Sequence, residues 1–355
     1  MVGNEDSGLT TILKTYKHLW EQFISEENFA LACKKSQRHK KGQRLVRKFN
    51  KDPERNLAAV REMVLAGNFH TSEYKERKVF EPKERIIYKL PYSPDRIVQH
   101  AIMNILIPIL TNLMIENTYA CIEGRGQLKA SQKCSEYVRK YRYCLKCDIH
   151  HFFPSVDQQV LSDMFHRIIK DDRFLTVIDD VVFSYPGGKN VPIGNFMSQW
   201  CGNFYLSPMD NFILHHLKPG GYERYCDDFL LFDNDKEKLH RCRRELAVFL
   251  RERLKLEFSK AEVFNTKQGV DFCGYRCFGK YVLIRKSTAK RIRRRMKRVQ
   301  VKMKERKPDQ HIEGQIASAN GVMKHACSWN FRNAVHYKEL WEQVRQREKK
   351  GEKAK

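Results

Sequence analysis

The feature that most limits how this chain can fold is a short acidic turn between two strand-like runs. Asp227 and Asp228 lie in the sequence Tyr-Cys-Asp-Asp at 225–228, and an apolar run continues to Phe232. Two such runs around a tight turn predict a β-hairpin with both carboxylates at its tip. Adjacent carboxylates repel each other, so a hairpin tip that carries two of them commonly binds a cation. An ordinary Asp-rich turn can have the same two residues. A further acid is needed to distinguish a cation site from such a turn.

A third acid, Asp148, supplies that context because it ends the apolar strand-like run YRYCLKC at 141–147. Carboxylates at the ends of neighbouring strands can hold two Mg²⁺ ions, one activating an attacking oxygen and one clamping a phosphate. The backbone carbonyl of Ile149 is a further candidate ligand. Asp157 lies nearby in the sequence, but it begins a segment with helical periodicity and is therefore expected to cap a helix.

Strands and helices alternate along the rest of the chain, which predicts an α+β fold. Apolar residues at helical spacing predict helices at 10–32, 56–66, 156–170, most of 193–216, and 237–254. Extended segments are expected at 77–90, around 262–275 and at 281–284. Asp95 is expected to cap the long, mostly buried helix that follows it.

The balance of charge points to a polyanionic partner. Lys and Arg number 67 against 42 Asp and Glu, which gives a net charge of +25. A chain tolerates such self-repulsion when its usual partner is nucleic acid. A merely basic surface and an acidic membrane are the weaker explanations. The cations are concentrated in two segments, the basic tract Lys34–Lys48 and the segment Arg285–Lys307.

The segment Arg285–Lys307 predicts a helix that packs by one side only. Its apolar residues recur at steps of three and four, at Ile292, Met296, Val299 and Met303. A solvated helix usually mixes charges of both signs, whereas nearly every charge here is positive. The candidates for contact with nucleic-acid phosphates are Arg291, Arg294, Arg295 and Arg298.

Neither a membrane nor a disulfide scaffold is indicated. No run reaches the ~18 apolar residues that a membrane span requires, and the polar start MVGNEDSGLT does not predict a signal peptide. Several of the eleven cysteines, including Cys121, Cys144 and Cys273, lie in apolar runs. Reduced thiols in a core have that pattern. We therefore expect a cytoplasmic protein without a membrane partner.

Six sequence blocks follow the order in which reverse transcriptases carry them, and the chain resembles that family. The blocks are 82–102 (PKERIIYKLPYSPDRIVQHAI), 117–130 (NTYACIEGRGQLKA), 146–157 (KCDIHHFFPSVD), 192–199 (PIGNFMSQ), 225–228 (YCDD) and 259–275 (SKAEVFNTKQGVDFCGY). The resemblance implies a right-hand polymerase fold with fingers, a palm made of an antiparallel sheet with helices on one face, and a helical thumb. The implied segments are an N-terminal helix and basic tract (1–55), fingers and palm (56–284), and a basic thumb (285–355).

The resemblance also implies an RNA-directed DNA polymerase that binds template RNA, RNA/DNA hybrid and deoxynucleoside triphosphates. The implied catalytic residues and ligands of two Mg²⁺ ions are Asp148, Asp227 and Asp228, with Ile149 as a further ligand. The residues implied to contact the nucleotide are Lys83, Arg85, Phe153, Ile193, Gly194 and Lys260. Phe153 would lie under the sugar and exclude a 2′-hydroxyl, with core packing as the alternative. For Lys83 the alternative is an exposed strand charge.

The amino-acid sequence at 193–199 resembles one subgroup of the family, the reverse transcriptases of diversity-generating retroelements. Relatives of group II introns have Gln-Gly and then Ser-Pro where this chain has Ile193-Gly194 and Ser198-Gln199. This resemblance implies cDNA mutated opposite adenine and a small basic accessory variability protein as partner. The alternatives are a retron or group II intron-like enzyme of ordinary fidelity, a viral-type RNA polymerase, and a non-enzymatic RNA-binding scaffold. Phe153 argues against the RNA polymerase, and the intact acids argue against the scaffold.

Overall fold

A computed structural model describes residues 14–80, 84–303 and 311–352, with side chains described as far as residue 346. The chain forms two compact units, each made of separate stretches of sequence. The first unit is Met1–Glu116, Asp148–Leu217 and Arg244–Lys260; the second is Asn117–Cys147, Lys218–Arg243 and Ala261–Lys355. The division into segments 1–55, 56–284 and 285–355 stays a prediction.

Helices make up most of the regular structure. They are α1 (Trp20–Ile24), α2 (Glu26–Ser36), α3 (Arg44–Phe49), α4 (Pro53–Leu65), α5 (Ile97–Leu113), α6 (Gln127–Lys140), α7 (Phe152–Ser155), α8 (Gln158–Ile168), α9 (Asp172–Val182), α10 (Phe196–Tyr205), α11 (Ser207–Phe212), α12 (Lys236–Leu254), α13 (Lys286–Lys302), α14 (Ile312–Met323), α15 (Trp329–Ala334) and α16 (Tyr337–Glu352). A π-helical turn, Tyr92–Arg96, leads into α5, and a second, Ile213–Leu217, follows α11.

In the part of the chain that the structure describes, nine strands form three sheets. They are β1 (Lys75–Val79), β2 (Arg85–Lys89), β3 (Tyr143–Ile149), β4 (Gly221–Tyr225), β5 (Asp228–Asp233), β6 (Phe258–Asn265), β7 (Val270–Phe272), β8 (Tyr275–Cys277) and β9 (Val282–Ile284). The sheets have the orders β1-β2, β4-β5-β3-β6 and β7-β8-β9. The pairs β1-β2, β4-β5, β7-β8 and β8-β9 are antiparallel. This mixture of helices and antiparallel sheet confirms the α+β class.

The helix expected at 10–32 is wrong in its extent. The part before residue 14 lies outside the described residues, and the rest is broken into α1 and α2 at Ser25. Ser25 adopts an extended conformation, and its side chain accepts a hydrogen bond from the backbone N–H of Asn28, which begins a new helix. The backbone N–H groups of Leu19 and Trp20 donate to the carboxylate of Asp171, which fixes where α1 begins.

The two aspartates that were expected to cap helices behave differently. Asp157 caps α8 as expected, because its carboxylate accepts from the backbone N–H of Val160 at 3.0 Å. Asp95 does not cap α5. Its buried carboxylate instead accepts two hydrogen bonds from Ser72, one from the backbone N–H and one from the hydroxyl, both at 2.8 Å. The helix that follows is long and mostly buried, as predicted.

The C-terminal helices pack around the apolar stripe predicted for 285–307. Ile292, Met296, Val299 and Met303 are buried in one cluster with apolar side chains of α14 and α16. The single-sided packing is therefore confirmed as far as Met303, and the cationic face of α13 remains exposed between these positions. Residues 304–307 of the predicted segment lie outside the described residues.

The cysteines are free thiols that differ in how deeply they are buried. None of the eleven cysteines, all within the described residues, forms a disulfide, and Cys144 is buried. Cys121 is exposed, so its expected place in a core is wrong. Within the described part of the chain, no helix is both long and apolar enough to cross a membrane.

Candidate active site

The predicted hairpin is present, and its acids are at the turn. Strands β4 and β5 pair with Tyr225 opposite Asp228, which leaves Cys226 and Asp227 as a two-residue turn. Cys226 has φ of 59°, the left-handed conformation that tight hairpin turns require. Behind the turn, the run Phe229–Phe232 is fully buried and anchors β5. The buried apolar run after the turn thus fixes the position of the acidic residues at the turn.

Asp228 is held by a lysine of the neighbouring strand β3. The Nζ of Lys146 lies 3.1 Å from Oδ1 of Asp228, and it also donates to the backbone carbonyl of Asp271 at 2.6 Å. The side chain of Lys146 is 14% exposed and that of Asp228 29%. An ion pair with this little exposure to solvent is screened less than a surface pair, so it fixes the start of β5.

Asp148 lies near the end of β3 and has a hydroxyl partner. The hydroxyl of Ser259 donates to Oδ2 of Asp148 at 2.6 Å. The backbone N–H of His150 donates to the carbonyl of Glu257 at 2.8 Å, which ties the end of β3 to the start of β6. These contacts keep the carboxylate of Asp148 at the end of its strand.

The thiol of Cys226, next to Asp227 in the turn, is not an extra anion. Burial, followed by the charge of Asp227, raises the pKa of Cys226 to about 12, so the thiol is neutral at pH 7. Across the described ranges, no group of three or more His, Cys, Asp and Glu side chains is arranged to hold a metal ion. The assignment of Asp148, Ile149, Asp227 and Asp228 as metal ligands therefore stays a prediction.

Three of the predicted nucleotide contacts lie on two segments that the first unit joins. The backbone N–H of Tyr88 in β2 donates to the carbonyl of Ile193 at 2.8 Å. Gly194 has φ of 125°, and a Cβ at this position would collide with the carbonyl oxygen of Tyr88. This docking needs a glycine and places the block 192–199 against the strand that begins with the exposed Arg85.

Phe153 and Lys260 lie on other elements of the first unit. Phe153 is half-buried in α7, with its ring centroid 5.1 Å from that of Phe152. Lys260 is exposed in β6, next to Ser259. Lys83 lies outside the described residues.

The four arginines predicted to contact nucleic acid divide into two groups. Arg291, Arg294 and Arg298 are exposed on α13. Arg295 is half-buried, and its guanidinium donates to the hydroxyl of Ser318 at 3.3 Å. The first three are therefore available to contact a polyanion, whereas the hydrogen bond of Arg295 connects α13 to α14.

Two contacts of the acidic residues were missed in the sequence. Lys146 lies two residues before Asp148 in one strand, so strand periodicity places both side chains on the same face and could have drawn attention to it. Ser259 gives no such signal, because its contact with Asp148 joins residues more than a hundred positions apart.

Comparison with known proteins agrees with these features. Residues 75–277, more than half of the chain, match the family described as reverse transcriptase (RNA-dependent DNA polymerase). The chain is also similar to Protein YkfC of Escherichia coli (strain K12), with 23% identity over 276 residues, covering 63% of this chain and 71% of that protein. The family match spans β1 to β8 and includes the acidic hairpin, Asp148 and the block 192–199. The chain belongs to the reverse transcriptase family and is an RNA-directed DNA polymerase.

Proposed function

We propose that this polymerase joins nucleotides by two-metal-ion catalysis, with Asp148 and Asp227 as the principal metal ligands. The observation that carries the proposal is the order of the sheet, in which β3, the strand of Asp148, lies beside β5, the strand that begins at the acidic turn. Reverse transcriptase domains generally use divalent metal ions, typically Mg²⁺. Carboxylate oxygens are the ligands that Mg²⁺ prefers.

The protein residues would orient the acids. Ser259 satisfies one oxygen of Asp148, and the other lone pairs of this carboxylate are available to a cation. Lys146 neutralises Asp228, so a metal ion would have to compete with an ammonium group for that carboxylate. Asp227, at the turn itself, is the acid of the hairpin best placed to bind metal. Bound Mg²⁺ would assist deprotonation of the attacking hydroxyl and offset the charge of the triphosphate.

The incoming nucleotide would meet the first unit at β2 and the block 192–199. Arg85 offers a guanidinium that can bind two phosphate oxygens at once. The docking of Ile193 and Gly194 on Tyr88 would keep the block 192–199 in register with this strand. Lys83 and Lys260 would add positive charge around the triphosphate, and template RNA would be the strand that is copied.

The finer proposal is that the chain serves a diversity-generating retroelement. Its support is the sequence at 193–199, where Ile193 offers no hydrogen bond near the forming base pair. On this proposal the cDNA carries errors opposite template adenine, and a small basic accessory variability protein is the partner.

The test of the catalytic proposal is primer extension with Mg²⁺ on an RNA template. We expect Asp148→Asn and Asp227→Asn each to reduce extension by at least ~10³-fold, because a catalytic metal contributes several kcal/mol to the barrier. The affinity for the RNA template should be nearly unchanged, since the basic surfaces are untouched.

The matched control is Asp163→Asn. This exposed acid accepts a hydrogen bond from the side chain of Gln159 on α8, and its loss should leave extension intact. Full extension by either the Asp148 or the Asp227 variant would remove that residue from the metal site.

A further inference from the structure

A cationic cluster lies on one face of α5, within the first unit. Arg96 ends the turn before the helix, and His100 follows four residues later, so both lie on the same face. One turn further on, Asn104 accepts a hydrogen bond at 2.7 Å from Nζ of Lys35 in α2. The end of α2 and the start of the loop after it, which carries Lys40, therefore lie along this face.

The buried part of the cluster has polar atoms without partners. Nε of Arg96, Nε2 of Gln99 and Nδ1 of His100 are all inaccessible to solvent and make no hydrogen bond. His100 is 7% exposed and Gln99 2%. Buried polar groups in folded proteins are nearly always paired, and three unpaired atoms within five residues are unusual. The imidazole of His100 is also fixed, because it stacks on Phe196 at 4.1 Å with an interplanar angle of 9°.

The charges of the cluster are not balanced by acids. Burial and then the charges of Arg96, Lys40 and Lys35 lower the pKa of His100 to about 4. Burial and then Arg96 lower the pKa of Lys40, and burial lowers that of Arg96, opposed by Tyr92. Among the described residues, no carboxylate contributes to any of these three shifts.

The nearest acid in the sequence is used elsewhere. Both oxygens of Asp95 accept hydrogen bonds from Ser72. Positive groups that face one another without an acid destabilise the fold unless an anion binds among them.

We propose that Arg96 and Lys40, with the fixed imidazole of His100 behind them, bind a backbone phosphate of the RNA strand. This inference rests on the proposed copying of RNA. A phosphodiester supplies a negative charge and several acceptor oxygens, which suit a guanidinium and an ammonium. Lys35 is exposed and Lys40 and Arg96 are half-buried, so the cluster is open to solvent on one side.

A nucleic-acid strand fits this place better than a free anion does. The cluster is continuous with the basic tract Lys34–Lys48, whose other cations are exposed and can follow a chain of phosphates. Phe196, which stacks on His100, also belongs to the block 192–199 that docks on β2. A strand held at this cluster would pass beside that block.

The test is binding of a single-stranded RNA oligonucleotide by the full chain, without Mg²⁺ and without nucleotide. We expect Arg96→Gln and Lys40→Gln each to weaken binding by about tenfold. The slope of log K against log salt should fall by ~0.7 in each variant, as for one lost phosphate contact. Arg55→Gln is the matched control, because Arg55 is exposed on α4 and its loss changes net charge equally. Affinities and slopes equal to those of the control would overturn the proposal.

A second measurement guards against misfolded variants. Inorganic phosphate should raise the thermal unfolding temperature of the unaltered chain above that in chloride of equal ionic strength, and less so in Lys40→Gln. Without phosphate, Lys40→Gln should unfold at the same or a higher temperature, since it removes repulsion. A lower temperature would indicate that Lys40 only supports the fold.

Two outcomes separate this inference from the catalytic proposal. Binding of RNA needs no catalysis, so an inert polymerase would leave this test readable. Displacement of the RNA from the cluster by a deoxynucleoside triphosphate, with loss of that competition in Arg96→Gln, would assign the site to the nucleotide and overturn the proposal.

Discussion

The position of the Phe153 side chain is determined by the residues that contact it. Phe152 is buried and Phe153 only half-buried, so the pair divides between core and surface. Gly202 of α10 lies against both rings. A Cβ built on it would lie 3.0 Å from Cε1 of Phe152 and 3.1 Å from Cε1 of Phe153. The position of the Phe153 ring therefore depends on the absence of a side chain at 202.

We predict that Phe153→Ala admits ribonucleotides, because the space under the sugar opens. Discrimination between deoxynucleotides and ribonucleotides should fall by at least about tenfold, while deoxynucleotide incorporation falls only moderately. Gly202→Ala should shift the ring of Phe153 and change the same ratio by a smaller amount. Single-nucleotide incorporation measures both.

The control is Phe183→Ala, which removes an exposed aromatic ring elsewhere in the first unit. If sugar discrimination in Phe153→Ala equals that of the control, Phe153 is a packing residue and the sugar is selected elsewhere.

The two helix-preceding aspartates mark the limit of prediction for single residues. Asp157 and Asp95 look alike in the sequence, since each stands before an apolar helix. Asp157 caps α8 because its partner is local. The carboxylate of Asp95 instead accepts a hydrogen bond from Ser72, 23 residues earlier in the chain. No local sequence pattern indicates this contact.

Helices and strands, like single residues, were predicted where the local sequence determines them. The hairpin β4-β5, the strand β3 and the helices α4, α8 and α12 were predicted, because each is encoded by its own periodicity and turn residues. The N-terminal helix was predicted as one piece, because the apolar spacing continues past Ser25. The bonds from Leu19 and Trp20 to Asp171 join residues about 150 positions apart, and they determine where the first helix begins.

Helix α13 carries an element-scale prediction about RNA affinity. Replacing Arg291, Arg294 and Arg298 by Glu should weaken binding of an RNA/DNA hybrid and lower the slope of log K against log salt by ~2, at ~0.7–0.9 per lost contact. Arg295 is left unchanged because its bond to Ser318 supports the fold. Affinity measured across a salt series gives the slope.

The control for α13 is a reversal of equal charge on another helix. Arg244, Arg251 and Arg253 are exposed on α12, and their replacement by Glu changes the net charge by the same amount. Equal slopes for the two triple variants would show that the exposed face of α13 does not contact the hybrid.

At the scale of the whole molecule, the sequence predicted the fold class and the family. It did not predict which separate stretches of chain pack together. The order of the six blocks identified a reverse transcriptase, and the family match confirms it. Each compact unit, however, combines three separate stretches of chain. Pairings over such distances depend on tertiary contacts, which local periodicity does not encode. The cationic cluster at Arg96 was missed for the same reason, since α2 and the loop after it meet α5 only in the fold.

The error spectrum of the cDNA is the property of the whole molecule that tests the retroelement proposal. The bond from Tyr88 to residue 193 uses a backbone carbonyl, so the side chain of Ile193 can be changed without breaking the docking of its segment. We predict frequent misincorporation opposite template adenine and much less opposite the other three bases. Ile193→Gln should lower the adenine errors several-fold, since one added hydrogen bond is worth on the order of 1 kcal/mol.

Sequencing of cDNA made by the purified chain on an RNA of mixed sequence measures this spectrum. Ile193→Val is the matched control, because Val is also branched at Cβ and offers no hydrogen bond, so its spectrum should equal that of the unaltered chain. Equal errors for the Gln and Val variants would separate residue 193 from fidelity. Low and uniform errors opposite all four bases in the unaltered chain would defeat the retroelement proposal. The polymerase assignment would stand, because it rests on the family match and on the acids of β3 and the β4-β5 turn.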